Sequence, residues 1–133
     1  MGLFSRKPKQ VRARAAFIPI DGEQMFVGEK AYQADLVALL SSRGHSPTAL
    51  AGIHQPISES FVARLAPEEG NPYDANAVAV HIDGRTVAYL SRGNAARWRA
   101  AYGTKHAETP VVLWVKVRGE GIVSVWPDRG HDA

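Results

Sequence analysis

The sequence predicts a small, mainly β domain, β-barrel-like or α+β, of about six strands with two short helices. Three observations predict it. Most apolar stretches are short, rich in Val, Ile, Phe or Tyr, and bounded by Gly, Pro, Asn or Asp. Consecutive stretches are mostly joined by tight turns, which leaves no room for the crossovers of a parallel βαβ series. Only two segments carry apolar residues at helical spacing.

Taken in order, residues 17–20 and 24–27 flank Asp21-Gly22 and read as a hairpin. Residues 31–43 place Ala31, Leu36, Leu39 and Leu40 at helical spacing, with Gly44 as the stop. Residues 45–56 mix Gly, Pro, Ser and His and read as a surface loop. Residues 61–65 alternate apolar and polar, as a half-buried strand does. Residues 67–72 form a long turn. Two β-branched runs, 77–82 and 85–90, surround Asp83-Gly84, the strongest short-range hairpin signal in the chain. Ala95, Ala96, Trp98 and Ala101 share one helical face within residues 91–102, which Gly103 ends. Residues 111–117 and 122–126 are strands across a Gly119-Glu120-Gly121 turn. Trp98, Trp114 and Trp126 are expected in the core, because large aromatics dominate small cores.

The chain has 133 residues, which suits one domain able to bury about two-thirds of its unfolded surface. With no cysteine, disulfide frameworks, thiolate metal sites and Cys nucleophiles are excluded, and a reducing, cytoplasmic setting is the expectation. No apolar run reaches the length of a membrane span, so no membrane partner is expected. The net charge of +3 is unevenly spread. Arg6, Lys7, Lys9, Arg12 and Arg14 face no acid within residues 1–14, a local charge of +5. The remainder sets eleven bases against thirteen acids, a net −2. Residues 1–15 therefore read as a basic, flexible arm, 16–128 as the domain and 129–133 as a disordered tail. The arm lacks the apolar core of a secretory signal, and Arg6 breaks the myristoylation pattern. It reads either as a solubilising terminus or as a phosphate-seeking arm.

Enzyme chemistry is not advertised. There is no P-loop, since Gly103-Thr104-Lys105 lacks the first glycine, and no GxSxG or HExxH. Histidines 45, 54, 81, 106 and 131 show no metal-ligand spacing, and no metal or cofactor is expected. Glu68-Glu69 falls on a turn and reads as solvated. The chain is therefore not expected to be an enzyme.

The densest special-purpose stretch is Asn71-Pro72-Tyr73-Asp74-Ala75-Asn76-Ala77-Val78. Pro72 pushes Asn71 into extended backbone, while Asp74 and Asn76 are each able to close an Asx-turn. Tyr73 is thus carried on a stiffened loop. By itself this reads either as a well-made turn with Tyr73 packed on the barrel, or as a presentation device.

Residues 70–80, with the NPYDANAVAV run, followed by 83–92, with TVAYLSR, resemble the HIRAN domain. Val27-Gly28-Glu29-Lys30-Ala31-Tyr32-Gln33 resembles the element that opens many bacterial members, and residues 61–68 fit the strand preceding NPYD. The resemblance covers about residues 25–127. It implies an OB-like β-barrel with two flanking helices that grips the 3′ end of single-stranded DNA, in DNA repair or replication-fork processing. It also implies a DNA-binding set of Lys30, Tyr32, Asn71, Tyr73, Asp74, Tyr89 and Arg92. Tyr73 would stack a terminal base, Lys30 and Arg92 would neutralise phosphates, and Asp74 would accept a bond from a free 3′-hydroxyl. The chain departs from the family at Ala31, where a second aromatic stands, at Ala88 for glycine, and at the smaller Ile122 and Val123. A monomer working with a helicase or nuclease in trans is the expected partnership. Two alternatives stand beside it: a protein-interaction module that kept the barrel and lost the pocket, and a small hydrolase of phosphate esters or anhydrides.

Overall fold

The Asp83-Gly84 turn sets the architecture. Both residues adopt left-handed backbone, φ 50° and 77°, the conformation that a two-residue hairpin turn requires to match strand twist. In this computed structural model, which describes residues 10–12, 25–45, 56–115 and 122–128, the turn joins β4 (Val78–Ile82) to β5 (Arg85–Leu90). The other strands are β1 (Gln10–Arg12), β2 (Phe26–Val27), β3 (Ile57–Pro67), β6 (His106–Val115) and β7 (Ser124–Pro127). A 3-10 turn, Glu29–Tyr32, leads into α1 (Gln33–Ser42), and α2 spans Arg92–Tyr102.

The sheet runs β1-β6-β3-β4-β5-β2, with β7 also on β6. All pairs are antiparallel except β1 with β6, and six strands wrap into a nearly closed, OB-like barrel. β1 and β7 share one edge of β6: β1 pairs with residues 106–108 and β7 with residues 111–114.

Side chains close the seam between the β2 and β7 ends. The Gln33 amide donates to the Val123 carbonyl at 2.9 Å and accepts from the Val123 N–H at 2.8 Å. Glu29 accepts from the Val125 N–H at 3.2 Å. An amide that both donates and accepts reproduces one rung of a β ladder, so these two side chains stand in for a strand.

The barrel is filled from its walls and plugged by the helices. Leu65, Val78, Val80, Ile82, Val87, Val111, Leu113 and Val115 point inward, fully buried. Leu36, Leu39 and Leu40 enter from α1 and Ala95 and Trp98 from α2. Each fully buried large apolar side chain contributes about 1.5–3 kcal/mol before the entropy of ordering is counted. No helix among the described residues is long and apolar enough to cross a membrane.

Several local expectations are corrected. β6 begins at His106, five residues before the apolar run from Val111. Pro110 lies within it without breaking the ladder to β3, because its carbonyl faces the other edge and accepts from Asp128 N–H at 3.1 Å. In a strand, N and C=O of one residue point the same way, so the missing donor also faces away from β3. Trp114 is half-buried and Trp126 is 44% exposed, which removes both from the core. The inward positions of these strands belong to Val111, Leu113, Val115 and Val125, and period-two alternation turns the tryptophans outward. The first helix opens with the 3-10 turn before α1 starts at Gln33. Within the basic arm, Gln10–Arg12 pairs with β6 as β1. Phe26–Val27 pairs with β5, and its expected hairpin partner at residues 17–20 lies outside the described residues. So do most of the 45–56 loop, the Gly-Glu-Gly turn and the tail at 129–133.

Candidate nucleic-acid interface

The loop between β3 and β4 is held by its own polar residues. Glu68 N–H donates to the Ala77 carbonyl at 2.9 Å, and Ala77 N–H donates to the Asp74 carbonyl at 3.0 Å, closing the loop at its base. Within it, the Asn71 side-chain oxygen accepts from Tyr73 N–H at 2.8 Å and Asp74 N–H at 3.0 Å. Asp74 Oδ1 accepts from Asn76 N–H at 2.9 Å. Gly70, at φ 78°, supplies the left-handed step that brings Asn71 into position. Backbone donors that a turn leaves open are thereby satisfied, and the turn is fixed. At its apex the Tyr73 ring is 87% exposed. Tyr73 does not pack on the barrel.

Glu68 anchors this loop from below. It accepts from Asn71 Nδ2 at 3.0 Å and from the Tyr89 hydroxyl at 3.0 and 3.1 Å to its two oxygens. Burial, then the bonds to Glu68 and Tyr32, push the Tyr89 hydroxyl pKa well above its ordinary value. The Tyr32 ring lies 6.3 Å from that of Tyr89 at a 42° tilt. Tyr89 and Tyr32 therefore support the loop. Reading Glu68 as solvated missed this role. The available signal was its place at the end of an alternating strand, three residues before Asn71.

Arg92 comes from the start of α2. Ser91 caps that helix, accepting from Asn94 N–H at 3.4 Å and Asn94 Nδ2 at 2.9 Å. Ser91 N–H donates to the Met25 carbonyl at 2.9 Å, which fixes the helix start against β2. The guanidinium donates to the Tyr73 carbonyl at 3.2 Å, and its Nε lies 3.8 Å from Asp74 Oδ2. The Arg92 side chain is 80% exposed and that of Asp74 22% exposed. Asp74 thus has one oxygen committed to its own turn and the other beside Arg92. Arg99 braces the loop base, donating to the Ala77 carbonyl at 3.4 Å.

The fold brings together Asn71, Tyr73, Asp74 and Arg92, and links Tyr89 and Tyr32 to them through Glu68. Lys30 is placed elsewhere. It is exposed on the 3-10 turn and lines a cleft of about 370 Å³ with Val27, Gly28, Glu29, Ile122, Val123 and Ser124. None of the loop residues lines that cleft. Ala31 is exposed beside it. Among the described residues, no group of three or more His, Cys, Asp or Glu is arranged to hold a metal ion. Comparisons with protein-family models, with curated proteins and with solved structures find no match to this chain.

Proposed function

We propose that the chain is a HIRAN-like module that binds the 3′-hydroxyl end of single-stranded DNA. The observation that carries this reading is the clustering of Tyr73, Arg92 and Asp74 at one loop apex. An aromatic ring 87% exposed on a loop with its backbone bonds satisfied is pre-organised to stack a base without an ordering cost. Stacking of this type contributes about 1–3 kcal/mol per base. Arg92, bonded to the Tyr73 carbonyl, brings an exposed cation to the same loop for the neighbouring phosphate. Asp74 Oδ2 accepts a hydrogen bond from a terminal hydroxyl, whereas a terminal phosphate places like charges together. The net −2 beyond residues 1–14 gives little bulk attraction for long nucleic acid, which fits a local, end-reading grip. A role in DNA repair or fork processing, in the cytoplasm and alongside a helicase or nuclease, goes with this reading.

The test is fluorescence anisotropy with labelled oligothymidine at two salt concentrations, for the full chain and for Tyr73→Ala and Arg92→Gln. Tyr73→Ala is expected to lose roughly tenfold in affinity at both salts. Arg92→Gln is expected to weaken binding and flatten the salt dependence. Unchanged affinity in both variants overturns the reading.

A second reading has its own observation. Val62, 63% exposed, pairs with Pro110 on the outer face of the barrel, and Val112 pairs there with Trp126, 44% exposed. An apolar strip of this kind marks a protein-interaction surface. Intact oligothymidine binding with Trp126→Ser, and weakened binding with Tyr73→Ala, favours the first reading.

A further inference from the structure

Residues 91–105, which comprise α2 and the turn after it, hold Arg92, Arg97, Arg99 and Lys105 and no acid. The rest of the chain beyond residue 14 sets seven bases against thirteen acids. Positive charge is therefore concentrated on this stretch of a body that is otherwise net negative. Asn94, Ala95 and Trp98 are the buried side of α2, and the opposite side faces solvent. By helical periodicity Arg92 and Arg99 fall on one flank of that solvent side and Arg97 on the other, with exposed Ala96 and Ala100 between them. Lys105 is exposed on the turn that leads into β6.

Two features separate this face from an ordinary solvated one. First, α2 forgoes the acids that stabilise an exposed helix: none stands in its first turn, and none lies three or four residues from any of its arginines. Elsewhere exposed arginines are neutralised, Arg43 by Glu59 at 3.4 Å and Arg85 by Asp35 at 2.8 Å. Second, the face is continuous with the Tyr73 apex. Arg92 donates to the Tyr73 carbonyl and Arg99 to the Ala77 carbonyl, so one flank of α2 lies along the loop from its apex to its base. A helix rises about 1.5 Å per residue, which sets these two arginines about 10 Å apart along the axis.

We propose that the exposed face of α2 is the track for the DNA strand on the 5′ side of its 3′ end, with successive phosphates running from Arg92 past Arg97 toward Lys105. The proposal rests on the end-binding reading, which puts the terminal base on Tyr73 and its phosphate at Arg92. The strand then has to leave the apex across a neighbouring surface. Toward the start of the loop stand Glu68 and Glu69, which repel phosphate, whereas α2 offers cations without acids. The short side chains of Ala96 and Ala100 let a phosphate backbone lie close to the helix while guanidinium groups reach it from both flanks. The track touches no base edge, so it adds affinity and salt dependence without sequence preference.

The experiment is fluorescence anisotropy of the full chain with 5′-labelled oligothymidines of about 4 and about 12 nucleotides, both within the range that one OB-like barrel covers, at two salt concentrations. The variant is Arg97→Gln with Lys105→Gln, two exposed positions whose replacement keeps helix propensity and the loop's own bonds. Arg85→Gln, remote on β5, is the control for loss of a positive charge. The wild type is expected to bind the longer oligomer more tightly. The double variant should lose roughly tenfold or more on the longer oligomer at low salt, with the salt slope falling by roughly 0.7 per lost contact. Its affinity for the short oligomer should change far less, and Arg85→Gln should behave as the wild type. Equal affinity of double variant and wild type for the longer oligomer, or an equal loss in Arg85→Gln, overturns the proposal. Failure of the end-binding reading looks different: affinity is then indifferent to Tyr73→Ala at both lengths. No binding by the wild type at either length overturns both.

Discussion

The Tyr89 hydroxyl reaches both oxygens of Glu68, at 3.0 and 3.1 Å, and so connects the barrel wall near the end of β5 to the loop that displays Tyr73. The bond runs from β5 to the residue just after β3, and Glu68 passes it on to Asn71. Tyr89→Phe removes the donor and leaves a half-buried carboxylate short of a partner. A loss of about 1–2 kcal/mol in urea unfolding is expected. The folded-state pKa of this phenol is raised, so its stabilising contribution is complete below the unfolded value near 10 and declines as pH climbs beyond that. In alkaline absorbance titration, a late-ionising tyrosine component is expected, and it should vanish in Tyr89→Phe.

At the acid end the histidines act in the opposite sense. His81 has its pKa lowered from 6.5, chiefly by burial and then by Arg64. A lowered base stabilises the fold above the unfolded pKa and loses that contribution as pH falls through the window beneath 6.5. Thermal melts of the wild type should therefore drop in midpoint as pH moves from neutral into that window. His81→Gln should flatten this slope, and an unchanged slope would contradict the assignment.

Gln33 predicts a local effect at the seam. Gln33→Ala removes both bonds to Val123 and should cost roughly 1–3 kcal/mol. Gln33→Glu keeps an acceptor for Val123 N–H but turns a carboxylate toward the Val123 carbonyl, so it should fail to rescue. Amide exchange at Val123 and Val125 should accelerate in both variants more than at Leu113 in the barrel wall.

Asn71→Ala deletes the acceptor for two loop N–H groups and the donor to Glu68. A stability loss of about 1–2 kcal/mol is expected. Oligothymidine affinity should fall as well, because Tyr73 loses its fixed presentation. Preserved affinity would assign Asn71 a purely structural role.

Legibility in the sequence followed the range of the interactions. The β4–β5 hairpin was readable because Asp83-Gly84 and the flanking alternation are contiguous, and α2 because Ser91 and Gly103 mark its ends. In the NPYD loop the Asp74 turn was readable for the same reason, but the other acceptor is Asn71, which takes the Tyr73 and Asp74 N–H groups, rather than the expected Asn76. Glu68 was not readable, because its partner Tyr89 is 21 residues away. The seam was not, because Gln33 meets Val123 at a separation of 90 residues. The early start of β6 was hidden by Pro110, whose compatibility depends on which edge of the strand its nitrogen faces. Among the expected contacts, Arg92 joins Tyr73 and Asp74 through the fold alone, and Lys30 departs from them for the same reason.

The central claim is that Asp74 Oδ2 reads a terminal hydroxyl while Asp74 Oδ1 holds the turn. Asp74→Asn keeps a side-chain oxygen for Asn76 N–H and removes the charge, so the loop is preserved while the reading group changes. The decisive measurement is the ratio of affinities for oligothymidine ending in 3′-hydroxyl and in 3′-phosphate, in wild type and Asp74→Asn. The account predicts a preference of roughly tenfold or more for the hydroxyl end in the wild type, collapsing toward parity in the variant. Equal affinity of the wild type for the two ends would contradict it.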